Sequence, residues 1–92
     1  MDLDVQHHPD ERRFVAVVEG NENYLSYAAL EDGALDFRHT WVDPSLRGRG
    51  VGERIVRTAL EHAREHGLQV VPSCWYVGAV VRRHPEYRPL LR

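Results

Sequence analysis

Apolar and polar residues alternate along the first half of the chain and recur at helical spacing in the second, which predicts strands first and helices later. Leu3 to His7 reads as a short edge strand closed by a tight turn at His8-Pro9-Asp10. Arg13 to Glu19 carries the β-branched run Phe14, Val15, Ala16, Val17, Val18 and ends at the turn signal Gly20-Asn21. Tyr24 to Leu30 continues as strand, and Glu31-Asp32-Gly33 marks a hairpin turn. Leu35 to Val42 alternates, which places Leu35, Phe37, His39 and Trp41 on one face and Asp36, Arg38, Thr40 and Val42 on the other. Pro44 stops that strand.

Beyond Pro44 the period changes. Val51, Ile55, Val56, Ala59, Leu60 and Ala63 fall on one half of a helical wheel, and Glu53, Arg54, Arg57, Glu61, Arg64 and Glu65 on the other. Glu53 and Arg57 are spaced as a favourable i,i+4 pair, and Gly67 sits where a C-terminal cap belongs. Leu68 to Val71 reads as a short strand ended by Pro72. A strand, loop, helix and strand of this length form a right-handed crossover, so the two flanking strands are expected to run parallel. Ser73 is placed to cap a last helix that ends before Pro85. The fold class is therefore α/β (α+β) in one small domain, residues 1–92: a mixed, mostly antiparallel sheet with one parallel β-α-β crossover.

Composition narrows the function. The 92 residues suffice for one core. A formal net charge of −2 gives no general reason to bind nucleic acid or an anionic membrane, and no apolar run approaches spanning length. One cysteine, Cys74, rules out an intramolecular disulfide and points to a reducing compartment. Met1-Asp2-Leu3-Asp4 does not support a signal peptide, so a cytoplasmic location is expected.

Basic residues gather locally instead, around Arg47-Gly48-Arg49-Gly50-Val51-Gly52. Glycines at alternate positions leave backbone N–H groups unobstructed, and the helix that follows adds its own unpaired N–H groups and positive dipole end. Such a loop is built to cradle phosphate. A Walker loop is excluded because the chain contains no lysine. The dinucleotide fingerprint requires G-x-G-x-x-G in a first βα turn, whereas this spacing is G-x-G-x-G and comes late. Arg47, Gly50 and Gly52 instead satisfy R/Q-x-x-G-x-G/A at a strand-to-helix junction.

At these residues the chain resembles the acyl-CoA-dependent N-acetyltransferase superfamily, GNAT. Phe37 to Val42 with Pro44, the glycine loop, and Val71 to Val77 ahead of His84-Pro85-Glu86-Tyr87 are similar to a group of short, stand-alone GNAT-like proteins. The resemblance implies acetyl-CoA or coenzyme A as cofactor. It implies that the strand ending in Trp41 and Val42 splays from its neighbour and pairs with the pantetheine amides. It also implies that the N–H groups of Arg47, Gly48, Arg49, Gly50, Val51 and Gly52 hold the pyrophosphate. Two departures stand out: Trp41 occupies a position where relatives often carry glutamate, and the turn at Pro9 to Arg12 has no room for the two helices that shape the acceptor pocket of larger acetyltransferases.

Acetyl transfer to an amine requires a route for its proton and protonation of the leaving thiolate. Cys74, at an expected helix N-terminus that favours a thiolate, is a candidate to accept the acetyl group covalently or to contact the thioester; a buried, inert cysteine is the structural alternative. His39 is a candidate base for Cys74 or for the amine, or else a rim histidine. Tyr76 and Tyr87 are candidate acids, or packed aromatics. His62 and His66 have i,i+4 spacing but no third ligand, and His7-His8 no better, so no metal site is expected.

The expected function is acetyl-CoA-dependent N-acetylation of a small-molecule or protein amine, by a monomer or weak homodimer. A coenzyme-A-binding module without turnover is the alternative. RNA binding through Arg47-Gly48-Arg49-Gly50 is poorer, for want of stacking aromatics on the strands.

Overall fold

The glycine loop lies at the turning point between two parts of the chain, an antiparallel sheet before it and a helix-rich crossover after it. The computed structural model describes residues 3–92. Four strands come first: β1 (Gln6–His8), β2 (Arg13–Val18), β3 (Asn21–Ala29) and β4 (Leu35–Trp41). A 3-10 turn (Pro44–Leu46) leads to α1 (Val51–Glu65), β5 (Val70–Val71), α2 (Trp75–Arg83) and a 3-10 segment (Pro85–Leu90). Strand order in the sheet follows chain order, and β4–β5 is its parallel pair. The expected mixed sheet and β-α-β crossover are both present.

Turn chemistry sets the strand boundaries. β1 occupies Gln6–His8 rather than Leu3 to His7, because His8 pairs with Arg13 across a turn in which the Glu11 N–H donates to the His8 carbonyl. β3 begins at Asn21, not Tyr24. Glu19 and Gly20 both take positive φ, 51° and 81°, a two-residue turn whose twist matches the strands and pairs Val18 with Asn21.

The expected alternation of β4 holds only to Phe37. Tyr27 pairs with Phe37 while its neighbour Ser26 pairs with His39, so Arg38 is an extra, bulged residue. One inserted residue exchanges the faces that follow it. Thr40, opposite buried Leu25, therefore joins Phe37 on the helix side, and His39 and Trp41 turn to the other face beside Ser26 and Tyr24. The placement of Leu35, Phe37, His39 and Trp41 on one face is corrected accordingly.

All six apolar wheel positions of α1, from Val51 to Ala63, are buried, with its charged residues outward. Past its end the Leu68 N–H donates to the Ala63 carbonyl and the Gly67 N–H to the Arg64 carbonyl, closing the helix as the position of Gly67 implies. Glu53 does not pair with Arg57; its carboxylate takes Arg83 of α2 at 2.7 Å. Ser73 does not cap α2 either. Cys74 holds the cap position without a side-chain bond, and the Ser73 hydroxyl turns to Asp36.

Both helices pack on one face of the sheet. Phe14, Leu25 and Phe37 meet Ile55, Val56 and Leu60 of α1, with Val77 and Val80 of α2 and Tyr87 completing the core. The other face carries Arg13, Val17, Tyr24, Ser26, His39 and Trp41, and Val17 is 65% exposed. Among the described residues no helix is long and apolar enough to cross a membrane.

Candidate active site

The loop is pinned before it turns. The buried Asn23 side chain accepts the Asp43 N–H at 2.8 Å, while its amide donates to the Ala16 and Asn21 carbonyls. The Asp43 carboxylate accepts the Ser45 hydroxyl and N–H, which hold it below the usual carboxylate range. Leu46 plugs the core, and the chain then leaves it for the glycines.

The three glycines answer two different demands. Gly48 and Gly50 have φ of 81° and 82°, a region costly for side-chain-bearing residues, and Gly50 is the N-cap of α1. Gly52 is helical, and its constraint is contact: a Cβ there would lie 3.1 Å from the Tyr76 ring and 3.1 Å from Val42. The N–H groups of Gly48, Gly50, Val51 and Gly52 meet no acceptor among the described residues. Arg47 donates from Nε to the Val42 carbonyl and lies 5.4 Å over the Trp41 ring, and Arg49 pairs with Glu19 of the β2–β3 turn.

From the loop a cleft of about 700 Å³ runs to Cys74. Its length follows from the shortness of β5, which along β4 reaches only Leu35 and Asp36. One more bond, from the Cys74 N–H to the Phe37 carbonyl, closes the fork, and among the described residues the β4 edge beyond it meets no strand. An open strand edge with alternating N–H and C=O groups is suited to an extended, amide-bearing ligand.

Cys74 is buried at the closed end of the cleft, with Thr40 Oγ1 3.6 Å from its sulfur. That threonine reaches the thiol only because of the bulge at Arg38. His39, for the same reason, sits on the face away from the sulfur, its ring 6.2 Å from that of Tyr24, and borders the cleft from the sheet's open side. Tyr76 lines the cleft above Gly52; burial raises its pKa and keeps the phenol protonated, although the Arg83 guanidinium works the other way. Tyr87 lies elsewhere: it is buried, donates to Glu61 at 2.8 Å and ties the C-terminal segment to α1.

His7, His62 and His66 pack together. His7 stacks on Phe14 at 4.2 Å, and the His62 ring lies 4.5 Å from His7 and 4.2 Å from His66. Among the described residues, no group of three or more His, Cys, Asp or Glu could hold a metal. The residues that sequence patterning missed are Thr40, Glu53, Arg83, Asp36 and Ser73. A charged Asp36 set between Leu35 and Phe37 was the one available signal.

An open strand edge leading into a glycine-rich helix N-terminus, with a protonated tyrosine beside it, is a site with known kin. A family model described as GCN5-related N-acetyl-transferase matches residues 13–90. The chain belongs to this family. Among its relatives, Protein NATD1 of Gallus gallus is 28% identical over 85 residues, covering 90% of this chain and 77% of that protein. Protein NATD1 of Homo sapiens is 29% identical over 83 residues, covering 88% and 74%. The solution structure of a GCN5-like protein from Staphylococcus aureus shares the fold, with a TM-score of 0.75 at 24% identity over 98% of this chain and 88% of that one. In this GCN5-related domain, β1 and β2 are joined by residues 9–12 alone, so the sheet face bordered by His39 stays uncovered.

Proposed function

We propose that this GCN5-related domain binds acetyl-CoA and transfers the acetyl group to an amine, directly or through Cys74. The observation that carries the reading is the set of N–H groups of Gly48, Gly50, Val51 and Gly52 that meet no acceptor among the described residues, continuous with the open β4 edge that starts beside the thiol; the Arg49 N–H is already given to the Leu46 carbonyl. Acetyl-CoA, when bound, supplies the activated thioester. The loop N–H groups and the α1 dipole hold its pyrophosphate, with Arg47 and Arg49 adding positive charge. The β4 edge at Trp41 and Val42 takes the pantetheine amides. Tyr76, kept protonated by burial, gives its proton to the departing thiolate. In the covalent route Cys74 would lose its thiol proton to water as its sulfur bonded the acetyl carbon and the C–S bond to coenzyme A broke; the amine would then displace the cysteine, whose sulfur would take up the proton that the amine loses.

A coenzyme-A-binding module without turnover is the second reading, favoured by the short β1–β2 turn that leaves no acceptor helices. Acetyl-CoA at about 100 times its Kd stabilises a binder by about 2.7 kcal/mol, a rise in Tm of roughly 10–20 °C for a domain this small. No rise with acetyl-CoA or with coenzyme A refutes both readings. Mass spectrometry after incubation with acetyl-CoA then separates the routes. A gain of one acetyl group, lost in Cys74→Ala, supports the covalent path; an unmodified protein that still acetylates amines supports direct transfer; binding without release of coenzyme A leaves the module.

A further inference from the structure

The fork of the cleft carries a second pair of groups, and they face away from Cys74. The Ser73 hydroxyl donates to Asp36 Oδ1 at 2.5 Å, and Arg38 Nε donates to Asp36 Oδ2 at 3.1 Å. Asp36 stands opposite Ala28 of β3 and beside Val71 of β5. Its neighbours Leu35 and Phe37 face the helices, so strand alternation sends the carboxylate to the open face of the sheet. Cys74 sulfur meets Thr40 on the helix side. The fork therefore presents a thiol to one side and a hydroxyl-carboxylate pair to the other. Arg38, Thr40, Ser73 and Cys74 all line the same cleft.

Asp36 is 9% exposed and is the one carboxylate on β4. Burying such a group is unfavourable without partners, and here one of the two partners is a hydroxyl that itself borders the cleft. Joining the β5–α2 junction to β4 does not require it. That attachment is already made by the Asp36–Val71 strand pairing and the bond from the Cys74 N–H to the Phe37 carbonyl.

We infer that the acceptor amine enters from the open face of the sheet and passes its proton to Ser73, which hands its own hydroxyl proton to Asp36. The inference rests on the acetyl-transfer reading and adds the proton route on the amine's side. The amine nitrogen bonds the acetyl carbon and the C–S bond breaks, the electron pair leaving on sulfur. The N–H proton moves to Ser73 Oγ as the serine proton moves to Asp36 Oδ1; the thiolate takes its proton from Tyr76. Asp36 then loses a proton to water through Ser73, and Tyr76 regains one from water, so amine and thioester become amide and thiol with both groups reset. Ser73 is the catalytic contact. Asp36 acts through it, and Arg38 fixes the far carboxylate oxygen so that Oδ1 points at the hydroxyl.

The test is release of the coenzyme A thiol from acetyl-CoA across the pH range, with water and with ethylamine as acceptors, in the full chain. Asp36→Asn and Ser73→Ala should lower kcat about 100-fold while leaving acetyl-CoA affinity and the KM for ethylamine within about twofold. Ser73→Thr, which keeps the hydroxyl, should recover most of the rate. If the wild type turns over and Ser73→Ala matches it in rate and pH profile, the relay is refuted while acetyl transfer stands. Loss of acetyl-CoA binding in parallel with activity would assign the pair a structural role and also overturn it. A wild type that binds acetyl-CoA but releases no thiol with either acceptor overturns the transfer reading and the relay together.

Discussion

Replacing Gly52 by alanine isolates close packing from backbone conformation at the glycine loop. The new Cβ would lie 3.1 Å from Tyr76 Cε2, 3.1 Å from Val42 Cγ2 and 3.2 Å from Tyr76 Oη. Carbon atoms in good contact sit about 3.5–4.0 Å apart, so both neighbours must retreat by roughly half an ångström. Overpacking of this kind costs about 1–3 kcal/mol. Against it, alanine gains up to about 1 kcal/mol over glycine in a helix. The expected net loss is about 1 kcal/mol, a fall in Tm of about 4–8 °C for a domain of this size. Thermal melting by circular dichroism measures it. In a Tyr76→Ala background only the Val42 contact at 3.1 Å remains, so the same substitution should cost less, giving a coupling of about 1 kcal/mol in the double-mutant cycle. A rise in Tm for Gly52→Ala alone, with no coupling to Tyr76, would refute the packing argument.

Three further outcomes are expected. Gly50→Val places a β-branched residue at a φ of 82° where, its chain neighbours aside, no atom of the described residues lies within 4 Å of the Cβ, so strain of about 1–2 kcal/mol and at least about tenfold weaker acetyl-CoA binding by calorimetry should appear, while Gly50→Asn keeps most of the stability; equal stability of the two variants would count against backbone strain. Asn23→Ala removes all three bonds of a fully buried amide and should cost about 2–3 kcal/mol in urea unfolding; a change below about 0.5 kcal/mol would show that water replaces it. Burial first, and neighbouring imidazoles second, hold His7 and His62 below the ordinary 6.5. The unfolded chain therefore binds more protons below that value, and stability falls as pH drops from 6.5 towards the lower folded values. Tm measured from pH 8 to 5 should decline less in His62→Gln than in the wild type, and superimposable curves would remove the cluster as the cause.

The contrast between β4 and α1 shows what a linear reading reaches. For α1, the 3.6-residue period named every buried position except Gly52, and Gly67 marked the end, because both depend on residues within one or two turns. For β4, simple alternation assigned His39 and Thr40 to the wrong faces. The bulge that exchanges them depends on how β3 pairs across the hairpin, and no residue near Arg38 declares it. Glu53 likewise had a suitable local partner in Arg57 and took a distant one, Arg83, because α2 folds back across the start of α1.

By itself the sequence determined the strand-then-helix order, the parallel crossover, the glycine-rich loop at the strand-to-helix junction and the family, all of which follow from short-range period, turn residues and motif spacing. Tertiary structure decided which groups share the cleft. It set Thr40 against Cys74, turned His39 to the open face, made Gly52 a packing requirement under Tyr76, and joined Ser73 to Asp36 across 37 positions of chain. These outcomes depend on where strands part and how helices fold back, and such long-range pairing leaves little trace in the order of neighbouring residues.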